Sequence, residues 1–214
     1  GVNTEQFAPK DIPKSKLSEL LQTDIQGKRV LYTAGRLVKR KGVDWFIRNV
    51  LPSLPENIIY VVSGSGPDLA NINKAVHETG LENRVFILGY VSDEEQAVLL
   101  NTCDIFIQAN IPVSGDMEGF GLIVLEAASS GIPVVASKLE GLKDAIRNNE
   151  NGFLANTMDP ESFRSIIMSL LEDDTRRRNF GIKAREYTKK HFHWQAISMQ
   201  YVKSLSLPRT EKLL

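Results

Sequence analysis

At 214 residues the chain is long enough for one sizeable domain with a helical appendage, and its 42% hydrophobic and 24% charged content is ordinary for a globular protein. Its 26 basic and 26 acidic side chains cancel, so no global field recruits nucleic acid or an acidic membrane surface. A single cysteine, Cys103, excludes an internal disulfide and fits a reducing, cytoplasmic compartment, while no apolar run approaches a membrane span or reads as a signal peptide.

The chain starts at Gly1 without a Met, which suggests a fragment or processed product. After a polar start, Gly1 to Lys10, a short helix is expected around Ser15 to Gln22. Strands are then expected at Arg29 to Gly35, Asn57 to Ser63, Val85 to Gly89, Asp104 to Gln108, Pro133 to Ser137 and Gly152 to Ala155. Helices fall between them: Val43 to Leu54, Pro67 to Thr79 with Pro at its first position, and Ser92 to Asn101 with Ser92 and Glu95 forming a capping box. A further helix is expected between the Asp104 and Pro133 strands, and another at Leu142 to Arg147. From Asp159 the pattern is purely helical, through Leu171, then about Asp174 to Lys189, then a last helix after His193. This alternation predicts an α/β fold with a Rossmann-like parallel sheet sandwiched by helices and a C-terminal helical extension.

In such sheets ligands bind outside the carboxyl ends of the strands, so the loops there carry the functional reading. Arg36 ends the first strand and Lys41 precedes the next helix, offering a planar fork and a point charge for phosphate oxygens. Lys39 and Arg40 read more simply as a solvated basic turn. In Ser63-Gly64-Ser65-Gly66-Pro67 the glycines suit either close approach to a ligand or plain turn chemistry. Gly89-Tyr90-Val91 offers backbone and an apolar side chain to a flat base. The histidines His77, His191 and His193 have no metal-binding spacing.

The stretch Gly115 to Gly131 carries the strongest signal. Glu118 and Glu126 are eight positions apart, and eight helical residues rise about 12 Å over a little more than two turns, so both carboxylates can share one side. At the helix start the amides of Gly119 to Leu122 would lack intrahelical partners and favour an anion. Glu118 also suits a helix N-terminus by charge alone. Glu126 sits among apolar neighbours, where an unpaired carboxylate is costly unless it faces a cleft.

Six stretches together resemble the C-terminal domain of the retaining glycosyltransferases of family 4, whose fold is the two-domain GT-B arrangement. They are G-V-N-T-E-Q-F-A-P (Gly1 to Pro9), G-R-L-V-K-R-K-G (Gly35 to Gly42), G-S-G-P (Gly64 to Pro67), L-G-Y-V (Leu88 to Val91), E-G-F-G-L-I-V-L-E-A (Glu118 to Ala127) and G-I-P-V-V-A-S (Gly131 to Ser137). Relatives often carry a Pro-Ser pair shortly before the first Glu, where this chain has I-P-V-S-G-D-M.

The resemblance implies one half of a GT-B enzyme that binds a UDP-sugar or GDP-sugar as donor substrate, with no cofactor and no metal. It implies that Arg36 and Lys41 hold the diphosphate and that Glu118 holds the sugar hydroxyls, as the catalytic set. Glu126 would hold the ribose, and Tyr90 and Val91 would contact the base. Backbone at Gly35, Gly64, Gly66, Gly119, Phe120, Gly121 and Leu122 would complete the donor site. Residues 1–190 would form the nucleotide-sugar domain, with 1–10 as interdomain junction, 191–206 a crossing helix and 207–214 a tail. The amino-terminal acceptor domain would be absent, and the full-length enzyme could associate peripherally with a membrane to reach a glycan or lipid-linked acceptor. Two alternatives compete: a non-catalytic nucleotide-sugar-binding module on the same fold, and a Rossmann oxidoreductase, which the incomplete glycine fingerprint supports poorly.

Overall fold

The computed structural model describes residues 1–206; the tail expected at 207–214 lies outside the described residues. Six strands form one parallel sheet: β1 Arg29–Ala34, β2 Ile58–Ser63, β3 Val85–Gly89, β4 Ile105–Gln108, β5 Val134–Ser137 and β6 Phe153–Ala155, in the order β3-β2-β1-β4-β5-β6. Every residue of β2, β4 and β5 is buried, as expected of parallel strands covered on both faces. Alternation sorts each strand between two cores. Leu31 and Tyr60 point into the core under α2 (Val43–Asn49), α3 (Leu69–Thr79) and α7 (Pro160–Leu171). Val30, Tyr32 and Ile59 point into the opposite core, under α1 (Lys14–Leu21), α4 (Asp93–Thr102), α5 (Leu122–Ser129) and α8 (Asp174–Phe192).

Several helix termini follow their local chemistry. Ser92 and Glu95 make the capping box, with Ser92 Oγ accepting from Glu95 N and Glu95 Oε2 from Ser92 N. Asp159 caps α7 through Ser162 N. Three helices differ from expectation, one of them the helix expected at Leu142 to Arg147, which ends at Ala145 before the extended Ile146. The helix expected to run to Leu54 stops at Asn49, and Leu51–Ser53 is a separate 3-10 turn. Pro52 has no N–H to continue the ladder and its ring crowds the preceding turn. Pro67 does not open α3, which starts two residues later at Leu69 after Asp68. Asp68 N is instead committed to Leu37 O at 3.0 Å, which holds Gly66 to Asp68 against the β1 loop.

At the sheet's amino-terminal edge, the buried Asp104 accepts from Val30 N (2.8 Å), Lys14 Nζ (3.2 Å) and Arg177 Nη2 (3.0 Å). A buried carboxylate with this many donors is a structural fastener between β1, α1 and α8, far from the strand-end loops. The chain start runs along the end of α8: Val2 N donates to Phe192 O, and Arg185 Nη1 donates to the carbonyls of Thr4, Phe7 and Ser129. The helix break comes at His193, extended at φ −60 and ψ 144, and α9 (Trp194–Ser206) follows, leaving Trp194, Met199, Tyr201 and Leu205 exposed. No helix among the described residues is long and apolar enough to cross a membrane.

Candidate functional site

Between β1 and β4 the strand order reverses direction. The loop leaving β1 leads to α2 on one face and the loop leaving β4 leads to α5 on the other, so a crevice opens between them. Gly42 sets how closely the two loops meet. Its φ is +60, and a Cβ there would lie 2.2 Å from Ala109 O. With no side chain in the way, Arg40 O accepts from Ile111 N at 2.9 Å.

Glu118 is the hub of this contact. Its Oε2 accepts from Lys41 Nζ at 2.6 Å, Arg40 Nη1 at 2.7 Å and Asn110 Nδ2 at 3.1 Å. Arg40 Nε also donates to Asp116 Oδ1 at 2.8 Å, and Gln108 Nε2 donates to Asn110 Oδ1 at 2.5 Å. Burial by itself would raise the Glu118 carboxyl. The Lys41 hydrogen bond and charge, with Asn110 and Arg40, outweigh it and hold the group below the ordinary glutamate value. The backbone of Glu118 is held as well, its N–H donating to Glu140 Oε2 at 2.5 Å.

Two expectations change here. Glu118 does not share a helix with Glu126: α5 begins at Leu122, with Gly121 as an N-cap at φ +69, and Glu118 lies in the preceding loop. Gly119 and Gly121 disfavour helix, and the Glu140 bond holds the Glu118 backbone outside it. Arg40 is not part of a solvated turn either, since its side chain is 17% exposed and engages two carboxylates. Sequence reasoning missed Arg40, Gln108, Asn110, Asp116 and Glu140. Four of them are distant in sequence from the Arg40–Lys41 turn, and no local spacing announces their meeting.

The amides of Gly119 to Ile123 have no hydrogen-bond partner among the described residues, so a row of donors is open at the start of α5. Phe120 anchors this segment, its ring 6.1 Å from that of Phe192. Glu126, four residues into α5, is half-buried, and its carboxylate has no hydrogen-bond or ion-pair partner among the described residues. Burial alone raises its pKa, and the buried Tyr32 hydroxyl feels its charge.

The thermodynamic sign of that shift is testable. A carboxyl raised in the folded state contributes most stability below the ordinary glutamate range and loses it as pH climbs through the raised value. Glu126→Gln is therefore expected to stabilise the fold by about 0.5–1 kcal/mol near neutral pH. Thermal melts of the variant and the parent should converge in acid. Equal melting temperatures at neutral pH would show that Glu126 bears no desolvation cost.

Six expected residues, Gly35, Arg36, Gly64, Gly66, Tyr90 and Val91, line one open cleft of about 510 Å³, which Ile123 and Gln96 also border. Arg36 is exposed and has no carboxylate partner among the described residues. Tyr90 is 86% exposed. Gly64 has a packing reason for its identity: at φ +120, a Cβ would sit 1.9 Å from Gly35 O. Lys41, Glu118, Glu126 and the segment Gly119 to Leu122 lie outside the cleft lining. The structure thus presents a cleft with an unpaired cation and a separate closed ion cluster on the neighbouring loop.

The family model for glycosyl transferases group 1 matches residues 21–187. A GDP-mannose-dependent α-(1-6)-phosphatidylinositol monomannoside mannosyltransferase of Mycobacterium tuberculosis is 27% identical over 204 residues, covering 92% of this chain and 52% of that protein. A D-inositol 3-phosphate glycosyltransferase of Xylanimonas cellulosilytica is 29% identical over 203 residues, covering 91% of this chain and 46% of its own length. The chain spans about half the length of the curated relatives it matches. Among solved structures, Anabaena HepE in complex with UDP-glucose superposes with a TM-score of 0.82 at 25% identity, over 96% of this chain and 56% of that one. The C-terminal domain of a group 1 glycosyl transferase, LpcC of Francisella tularensis, superposes with a TM-score of 0.73 at 25% identity, over 91% of this chain and 100% of that domain. A six-stranded parallel sheet with this strand order and a match over most of its length place the chain in one family: it belongs to the glycosyl transferases of group 1.

Proposed function

We propose that this chain is the donor-binding half of a retaining hexosyltransferase and takes a UDP-sugar or GDP-sugar without a metal ion. One observation carries the reading: among the described residues the Arg36 side chain, the amides of Gly119 to Ile123 and the Glu126 carboxylate have no partner, and they lie on the loops and helix start that follow β1 and β4. Arg36 and the amides supply the positive field a diphosphate needs, and Lys41, buried and bonded to Glu118 at 2.6 Å, joins them when it releases that carboxylate. Glu126 accepts from the ribose hydroxyls, which compensate the cost of its burial. Tyr90 and Val91 lie against the base, and Glu118 receives the hexose hydroxyls. The UDP-glucose in HepE and the GDP-mannose of the mycobacterial relative support a nucleotide-sugar donor. An amino-terminal half would bring a glycan or lipid-linked acceptor, and the exposed apolar side chains of α9 would lie against it. The whole enzyme would work in the cytoplasm, at most in peripheral contact with a membrane.

Calorimetry in the presence of a chelator tests this. Uridine or guanosine diphosphate, or its hexose conjugate, is expected to bind, and at 100 times its dissociation constant to stabilise the fold by about 2.7 kcal/mol. Glu126→Gln is expected to weaken both free and conjugated nucleotide, since both carry the ribose. Binding that appears only with added magnesium or manganese would overturn the metal-free reading.

A further inference from the structure

Arg40 has no part in the donor contacts above, yet with Lys41 it joins the two loops of the crevice. Its Nε donates to Asp116 Oδ1 at 2.8 Å and its Nη1 to Glu118 Oε2 at 2.7 Å, while its carbonyl accepts from Ile111 N at 2.9 Å. One residue thereby touches the rising limb, the tip and the end of the 109–121 loop. Within itself that loop is tied by a bridge between Val113 and Asp116, with Gly115 at φ +77 between them, and by Asn110 Nδ2 donating to Glu118 Oε2 at 3.1 Å. Lys41 also reaches Glu118, but an ammonium is a point donor that fixes a distance and leaves the carboxylate plane free. A guanidinium is a rigid fork, and two carboxylates bonded to it are held in orientation as well as in place.

Resting on the donor-binding reading above, we infer that Arg40 is a positioning residue for recognition of the hexose. It holds Glu118 and the loop tip in the arrangement that presents the carboxylate to the sugar, and it does not itself bind the diphosphate. The division follows from occupancy. Arg40 is largely buried with two of its donors spent on carboxylates, whereas Arg36 is exposed and spends none. Arg40 should therefore govern how well the sugar conjugate binds relative to the free nucleoside diphosphate, and leave the free nucleotide nearly alone.

The test is calorimetry on the 214-residue chain with uridine and guanosine diphosphates and their glucose and mannose conjugates. Arg40→Ala is expected to weaken the conjugate about tenfold, the scale of one lost hydrogen bond between charged groups, while the free diphosphate changes by less than about twofold. Arg40→Lys, which keeps the charge and loses the fork, should fall between the two. Glu118→Gln should cost the conjugate about tenfold in the parent and little in the Arg40→Ala background, because residues acting as one unit are not additive. Equal weakening of both ligands would make Arg40 a phosphate contact and overturn the inference, as would additive losses in the double variant. If Arg40→Ala melts below the assay temperature, Arg40→Lys decides: conjugate affinity equal to the parent overturns the positioning role. If the parent chain binds none of these ligands, the donor-binding reading fails and this one with it. If the parent binds them and Arg40→Ala leaves the conjugate unchanged, the positioning role alone fails.

Discussion

Arg36→Ala, introduced into a complete enzyme containing this domain, is expected to slow sugar transfer by about 10²–10³-fold, the usual cost of removing one preorganised donor from a developing charge. As the bond between the sugar's anomeric carbon and the donor oxygen breaks, negative charge accumulates on the departing diphosphate. Arg36 lies two residues beyond the end of β1, borders the cleft, and has no carboxylate partner among the described residues. Its charge is available where that negative charge appears, and water would stabilise it less because water must reorganise. Arg36→Lys keeps the charge but loses the bidentate fork and should recover part of the rate. Steady-state kinetics with saturating acceptor would read both variants, and near-parental rates in Arg36→Ala would place the diphosphate elsewhere.

The 214-residue chain by itself is expected to transfer no sugar, even at saturating donor, with at most slow hydrolysis of the conjugate. Holding two reactants in reacting geometry supplies roughly 7–11 kcal/mol of a barrier, and that contribution requires an acceptor fixed opposite the donor. On the proposed reading the acceptor belongs to the other half, and without it the reactive carbon faces open solvent. Adding back that half, fused or as a separate polypeptide, should restore transfer with retention at the anomeric carbon, observable by following the product's anomeric proton. Transfer to any acceptor by the chain alone would show that the half-enzyme reading is wrong.

Much of the fold was legible from local sequence because burial on both faces leaves a plain mark. The run expected as a strand at Asn57 to Ser63 forms β2 at Ile58–Ser63, buried at every position. Ser92 with Glu95, and Asp159 before Pro160, announced helix starts that the structure places there. Where local reading failed, a neighbouring force had overridden it. Pro52 ended a helix whose apolar pattern continued to Leu54. Pro67 suited a first helical position, but the following amide was already committed to the carbonyl of Leu37.

The candidate site divides along the same line. Arg36 and the glycines of the second loop, read from the sequence, line one cleft at the strand ends, whereas Glu118 and Glu126, read from their spacing, lie outside its lining. The sequence by itself determined a parallel α/β domain of this family and the loops that carry its polar groups. Only the tertiary structure decided that Glu118 leaves the helix, that Gly64 is required by Gly35, and that Arg40 meets Glu118. The reason is range. Helix and strand preferences are settled among residues a few positions apart, whereas the Arg40–Glu118 pair spans 78 positions and exists only because β1 and β4 lie side by side in the sheet.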